Sequence, residues 1–470
     1  MARIVPGCRG FAVPTMMLAL DFALNQCQSR TYSPLAVEYW RTMPAHSSSF
    51  PNTLEAALDA DGTQSQHSAS TPGRHLILRS GWQIENIGDV AHTPGALALL
   101  EQYLPEVEVT FWPFYSVLPQ FEIDMLMKRF PRLNIVQGSL DERGVASTPE
   151  LEAAIASADF MLHNSGPFGL AWKDLVAFRE RTGNPFGFYG ITYGHWVFGN
   201  AEREALSNAE FVYFRDSVSL ERALQDGVSA PVMEYSPDVV FALDIADDEA
   251  AERLMKKYGL VEGNFMCCFP KQRFTPTWLH KAKNRPFDSR LHQRNEEMKE
   301  HDHIPLREAI TAVVRETGMK VLICNEDETE LPIGKTWVLD HLPEDVKENV
   351  AWLDRTWLLE EAVGVYKRSA GLFSNEMHSP IMAIANGVPA IVNRWVEQSS
   401  KGRMWEDIGL DDWLFNFDDD KDVARFPGVV LEMAKEPEKA RLKAVAARDV
   451  ARRRLEETIA VVSERSGLKS

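Results

Sequence analysis

Two rhythms alternate along the chain. Short apolar runs give way to longer stretches in which apolar residues recur every three or four positions, the period of a half-buried helix. The first pair opens at His75: HLILRS has the character of a strand, GWQIENIGDVAHTPG is a glycine-containing turn, and ALALLEQYLP has helical spacing. VEVTFWPF, LNIVQG, DFMLHNSGPFG, PFGFYGITYG, FVYFRD and APVMEYSPD follow as strands. FEIDMLMKRFP, TPELEAAIASA, AWKDLVAFRERTG, AEREALSNA and SVSLERALQDG lie between them as helices. Thr148 with Glu150 and Glu152 is a helix start, and Gly183 is a helix stop. Strictly alternating strands and helices predict a parallel sheet wrapped by helices.

The alternation then restarts. DDEAAERLMKKYGL is a helix and NFMCCFP a strand. A polar stretch from Lys271 to His303 reads as solvated surface or as a substrate loop. LREAITAVVRETG, WLLEEAVGVYKRS and PIMAIANG are helices, and MKVLICNED, AGLFSNEMHS and VPAIVNR are strands. A charged C-terminal helix begins near PEKARLKAVAARD. Two doubly wound α/β halves of similar size are therefore expected, joined near Ala242–Asp248. The N-terminal stretch differs. Pro44–Arg74 is rich in Ser, Thr, Pro, Gln and Gly and is too poor in apolar residues to pack. The expected organisation is an N-terminal extension and linker over 1–72, Rossmann-like domains over 73–244 and 245–430, and a C-terminal helix over 431–470.

Composition narrows the classes. The chain has 470 residues, enough for two or three domains at roughly 150 residues each. Lys plus Arg number 50 and Asp plus Glu 68, a formal charge of −18. Such a surface repels phosphate backbones and anionic lipid, so nucleic acid is not an expected partner. If the substrate is an anion, its positive pocket must be local. Cys8, Cys27, Cys267, Cys268 and Cys324 form no C-x-x-C pair, which points to a reducing compartment and to buried strand thiols. The early apolar stretch FAVPTMMLALDFAL is short for a bilayer helix and contains Asp21. A cytoplasmic protein without an integral membrane segment is the expectation, with export as the alternative.

Open parallel sheets bind ligands at the carboxyl ends of their strands. Five loops stand there. The first carries Asn86-Ile87-Gly88-Asp89, where a glycine before a helix lets a ligand approach backbone N–H groups. Its plainer reading is a turn capped by Asp89. The second is HNSGPFG, with Asn164, Ser165 and Gly166, a ligand loop or a tight turn. The third places Arg215 at a strand end, where its fork suits phosphate or carboxylate. An ion pair to Asp216 or Asp238 would also explain it. The fourth, Ser374–Pro380, sets His378 just after a strand with Glu376 beside it. That histidine can exchange protons near neutral pH, or it is a structural histidine. The fifth, QSSKGRMWED, offers Lys401 and Arg403, or is a solvated loop.

Several chemistries have no motif here: G-x-S-x-G, G-x-x-x-x-G-K-[ST], H-E-x-x-H and G-x-G-x-x-G are missing. His301-Asp302-His303 lies in a charged stretch without a third ligand at defined spacing, so it reads as surface and no metal site is expected.

Together the loops resemble the polysaccharide pyruvyl transferase family over roughly residues 75–420. The resemblance rests on the N-I-G-D turn, HNSGPFG, FRDSVSLERALQDGV with SPDVVFAL, EMHSPIMAIANGVPAIV and KGRMWEDIGLDDWLFNFDD, in that order. It implies a GT-B-like α/β fold, with two doubly wound Rossmann-like domains facing an interdomain cleft. It implies transfer of a pyruvyl group from phosphoenolpyruvate to sugar hydroxyls as a ketal, in exopolysaccharide and cell-envelope synthesis. No cofactor beyond the phosphoenolpyruvate donor is implied. The acceptor would be a glycan or a lipid-linked sugar, met by peripheral association. By motif, His378 would move the proton, and Arg215, with Lys401 and Arg403, would hold donor charge. Asn86, Gly88, Asp89, Asn164, Ser165, Gly166 and Glu376 would line the substrate. One position departs from the family: Glu376 stands where the family usually carries an Arg, and a carboxylate there repels the donor unless Lys401, Arg403 or Arg273 replaces the missing charge. The alternatives are a GT-B glycosyltransferase using a nucleotide sugar and a non-catalytic glycan-binding relative.

Overall fold

The computed structural model describes residues 74–468 apart from 116, 195–198, 281, 282 and 284. The expected N-terminal extension thus lies outside the described residues.

The first half is a seven-stranded parallel sheet in the order β3-β2-β1-β4-β5-β6-β7. Its strands are β1 (His75–Ser80), β2 (Glu108–Pro113), β3 (Asn134–Ile135), β4 (Phe160–His163), β5 (Phe186–Ile191), β6 (Val212–Phe214) and β7 (Met233–Tyr235). The second half is a six-stranded sheet in the order β10-β9-β8-β11-β12-β13. These strands are β8 (Phe265–Phe269), β9 (Lys320–Ile323), β10 (Val350–Trp352), β11 (Gly371–Ser374), β12 (Ala390–Arg394) and β13 (Leu414–Asn416). Every pairing between named strands is parallel. These are the two doubly wound halves expected from the alternating pattern, in the two-domain arrangement that the resemblance implies.

Central strands such as β1, β5, β8 and β11 are buried at every position. Helices cover both faces of a parallel sheet, so such strands read as continuous apolar runs. Cys267 and Cys268 sit in β8 as free buried thiols, and Cys324, also free, follows β9. Helix ends follow sequence chemistry. Thr148 caps Pro149–Ser157 by accepting the Leu151 N–H, and Gly183 ends Trp172–Thr182 at φ +75°.

The two sheets share one topological feature. Strand order reverses between β1 and β4 in the first, where Arg79 pairs with His163, and between β8 and β11 in the second, where Phe269 pairs with Ser374. The loops leaving these four strands carry Asn86–Asp89, Asn164–Phe168, Lys271–Arg273 and Asn375–His378. Contacts between the halves, such as the Ile87 N–H donating to the Glu326 carbonyl at 3.1 Å, bring the loop ends together.

Between the sheets the chain passes through the turn Val239–Ala242, which packs on helices of both halves. Two helices close the chain, Asp420–Lys435 and Pro437–Arg465. The second runs back to the first half: the Thr458 hydroxyl bonds with Tyr189 Oη at 2.7 Å and with Ser236 Oγ at 3.0 Å.

One expectation fails clearly. The polar stretch Lys271–His303 is not a surface loop through its length. Ser289–Thr317 is a single 29-residue helix, capped by Asp288 at one end and ended by Gly318 at φ +69°. Its first half buries Leu291, Asn295, Asp302 and His303, a mostly polar set that leaves no apolar period to detect. Pro305, just before the expected helix LREAITAVVRETG, sits inside it. No helix among the described residues is long and apolar enough to cross a membrane.

Candidate functional site

The four switch-point loops enclose a pocket of about 210 Å³. Asn86, Asp89, Phe168, Thr192 and Arg215 line it from the first half. Lys271, Glu376, His378 and Lys401 line it from the second. A second hollow of about 230 Å³ lies beside Leu97, Leu104 and Phe130 and has no comparable convergence of titratable groups.

Asn86 builds the first wall. Its Oδ1 accepts the Gly88 N–H at 2.8 Å and the Asp89 N–H at 3.4 Å, so Asn86, not Asp89, caps the short turn Ile87–Val90. Gly88 then touches the opposite half: a Cβ added there would stand 2.1 Å from Cβ of His378. Only glycine allows this approach. Asp89 is left to face the pocket, where it accepts a hydrogen bond from Gln83. Burial opposes its ionisation, but His378, His92 and Lys401 together hold its pKa below the usual carboxylate value.

His378 opens the helix His378–Ala385. Its Nε2 touches Lys401 Nζ and lies 3.9 Å from Asp89 Oδ1, while its Nδ1 stands 3.5 Å from Glu326 Oε2. Burial, reinforced by the Lys401 charge, pushes its pKa well below the ordinary histidine value. Lys401 is buried too, and burial with the nearby Arg215 charge lowers its pKa to about 7. A neutral imidazole against an amine near half-protonation is an arrangement able to exchange a proton.

Arg215, whose charge acts on Lys401, is 2% exposed. Its Nε donates to Thr192 Oγ1 at 2.6 Å and its Nη1 to Asp238 Oδ2 at 2.9 Å. The ion pair foreseen with Asp238 is therefore present, and Arg215 faces the pocket as well. Asp216 caps the following helix by accepting the Ser219 N–H at 2.8 Å.

Glu376 does not tune His378. It pairs with Lys271, which burial would discharge but which Glu376 and Glu330 keep charged, its pKa raised. Behind the pair, Glu330 is pushed well above the carboxylate range by burial and by Glu376 and Asp327. The carboxylate that departs from the family pattern is thus neutralised from its own side of the cleft. Arg273 does not supply that charge. Its guanidinium is held by Asp302 at 2.9 Å, Glu397 at 2.9 Å and Asp418 at 2.6 Å.

Other predicted residues divide. Asn164 and Ser165 are fully buried and do not line the pocket: Asn164 Nδ2 donates to Ser80 Oγ at 2.7 Å and Ser165 Oγ to Asp238 Oδ1 at 2.8 Å. They set the loop from behind. Gly166 forms a bridge to Ile191, and a Cβ there would meet the Trp82 ring at 2.3 Å. The pocket wall from this loop is Pro167 and Phe168, the latter at φ +58°, a backbone region a bulky side chain seldom adopts. Arg403 pairs with Glu406 and does not line the pocket. His301 Nδ1 donates to Asp302 Oδ1 at 2.8 Å, Asp302 holds Arg273, and Asp302 and His303 are buried, so this cluster is not surface.

Sequence reasoning missed His92 and Glu326, and placed Lys271 only in a stretch read as solvated surface or as a substrate loop. His92 is fully buried, with Nδ1 3.1 Å from Asp238 Oδ1. It falls three residues after Asp89, where a short turn leads directly into the helix His92–Tyr103. Glu326 follows β9 in N-E-D, a strand-end loop of the same kind as the five singled out, and it accepts the Ser379 N–H at 2.5 Å.

A family model described as polysaccharide pyruvyl transferase matches residues 86–393. No curated protein matches the sequence significantly. Among solved structures, the UDP-GlcNAc 2-epimerase of Neisseria meningitidis bound to UDP-GlcNAc is similar with a TM-score of 0.51 at 10% identity, covering 83% of this chain and 100% of that one. An Anabaena protein in complex with UDP is similar with a TM-score of 0.50 at 11% identity, covering 83% and 99%. At these identities the likeness is one of fold.

Proposed function

The chain belongs to the polysaccharide pyruvyl transferase family, and from that premise we propose that this GT-B-fold transferase moves the pyruvyl group of phosphoenolpyruvate onto two hydroxyls of a sugar as a ketal. The observation that carries the reading is the contact of His378 with Lys401, within the field of Arg215, on the wall of one cleft. Two cations beside one imidazole suit a small trianion.

The residues divide the work as follows. Arg215 and Lys401 bind the donor's phosphate and carboxylate. Lys401 turns from His378 to the anion, and the added negative charge favours protonation of the imidazole. His378 then gives its proton to the methylene carbon, and an oxocarbenium ion forms at C2. The first sugar hydroxyl adds there and returns its proton to His378. The C2–O bond to phosphate breaks, the second hydroxyl closes the ketal, and its proton leaves with inorganic phosphate. The fixed cations stabilise the departing phosphate. Asp89 and the Asn86 turn face the acceptor. No cofactor beyond the donor enters these steps. The acceptor class is a glycan or lipid-linked sugar, met in the cytoplasm.

The nucleotide-sugar reading retains one supporting observation: Glu376 faces the pocket, and a carboxylate suits ribose hydroxyls. A non-catalytic glycan binder would suit a cleft lined by carboxylates without cations, and Arg215, Lys271 and Lys401 argue against it. The test is phosphate release from phosphoenolpyruvate with candidate glycans. We expect turnover by the wild type and a loss of roughly 10²–10⁴-fold in His378→Ala. Undiminished turnover by that variant would remove the role assigned to His378.

A further inference from the structure

Two buried histidines converge on one carboxylate oxygen. Nε2 of His92 and Nε2 of His378 each lie 3.9 Å from Oδ1 of Asp89, and the three ligand atoms fall within 4.8 Å of one another. His92 is fully buried, and its Nε2 has no hydrogen-bond partner. A buried polar atom without a partner calls for an explanation, since it has given up water and gained nothing in return.

The far side of each ring is also ordered. Nδ1 of His92 stands 3.1 Å from Asp238 Oδ1 and 3.0 Å from Ser165 Oγ. Nδ1 of His378 stands 3.5 Å from Glu326 Oε2. Both imidazoles therefore have a buried carboxylate on the Nδ1 side and direct Nε2 inward; His92 Nδ1 lies within hydrogen-bond reach of its partners, the outer arrangement that fixes the tautomer of metal-binding histidines, whereas His378 Nδ1 and Glu326 Oε2 approach without a hydrogen bond. We propose that Asp89, His92 and His378 bind a divalent transition-metal ion of the Zn²⁺ class, and that this ion and Lys401 compete for Nε2 of His378.

Two imidazoles and one carboxylate select a borderline ion over Mg²⁺ or Ca²⁺. Tetrahedral coordination with metal–ligand distances of about 2.0–2.1 Å needs ligand atoms about 3.3 Å apart. The His378–Asp89 separation reaches that by an inward shift of His378, which lies at the seam between the halves, and the His92–Asp89 separation by a turn of the Asp89 carboxylate toward His92. The ion displaces the Lys401 ammonium, and a water or a pocket anion takes the open position. Metal binding stands on these residues alone. Its consequence, that a metal-loaded protein has no imidazole free for proton transfer, rests on the transferase reading.

Co²⁺ titration of the full-length, metal-stripped protein, followed by visible absorption and confirmed by equilibrium dialysis with Zn²⁺, tests the site. We expect one equivalent to bind with the intense visible bands of a low-coordinate site. His92→Asn, which can keep the Asp238 contact but lacks Nε2, should weaken binding by 10-fold or more. Lys401→Met should bind more tightly than wild type, which keeps the proposal falsifiable if the histidine variant fails to fold. Absence of stoichiometric binding, equal affinity in a folded His92→Asn protein, or no tightening in Lys401→Met would overturn it. These readouts use no donor, so failure here leaves the phosphoenolpyruvate reading standing, and a silent transferase assay leaves the metal site standing.

Discussion

Gly88 is where the two halves come nearest at the site. A methyl group there would occupy the space of the His378 side-chain root, which cannot swing away as a flexible tip could. Gly88→Ala should lower stability by about 1–3 kcal/mol, the usual cost of overpacking, and should reduce turnover at least tenfold. Thermal melts with phosphate-release assays measure both, and a variant unchanged in each would contradict the close approach. Away from the site, Glu122 is 1% exposed with one carboxylate oxygen unpartnered, and burial pushes its pKa up to about 7. A raised folded-state value favours folding below the unfolded pKa, near 4.5, and this contribution is lost as pH rises through 7. Glu122→Gln should therefore gain stability relative to wild type between pH 5 and pH 8, by about 2.5 kcal/mol at most. Chemical denaturation at the two pH values checks it, and a constant difference would place the carboxyl in water.

At the scale of elements, strand ends were readable because parallel strands are buried on both faces and break at glycine, proline or charge. That places the loops of Asn86, Arg215 and His378 at the cleft before any coordinates are known. Their side-chain partners were not readable. Asn164 and Ser165 look like ligand groups in HNSGPFG, yet tertiary packing turns both toward Ser80 and Asp238. The helix Ser289–Thr317 was only half visible, because its buried positions at Asn295, Asp302 and His303 are polar: Asn295 accepts the Phe274 N–H, Asp302 holds Arg273, and His303 packs edge-on against Trp337. Arg273 joins this helix to Glu397 and Asp418. Arg273→Met leaves three carboxylates facing one another and should cost about 3–5 kcal/mol. A denaturation midpoint within error of wild type would show that the network is not the tether described.

At the scale of the whole molecule, a chain of net charge −18 concentrates cations where its two sheets meet. Arg215, Lys271 and Lys401 face one pocket, so the attraction for an anion is local. The halves are held by the last helix, Pro437–Arg465, which buries Ala444, Leu455, Ile459 and Val462 and donates from Arg454 to the Tyr235 carbonyl at 2.9 Å. A chain ending at Glu436 should lose the single cooperative transition of the intact protein in calorimetry. Retention of one transition at the original temperature would show that the helix is dispensable. The proposed reaction requires a small phosphorylated trianion to fit between His378, Arg215 and Lys401. Isothermal titration of phosphoenolpyruvate into wild type, Arg215→Ala and Lys401→Ala measures that directly. Saturable binding by wild type that weakens at least tenfold in both folded variants is the predicted result. Binding of uridine diphosphate with no heat from phosphoenolpyruvate would contradict it.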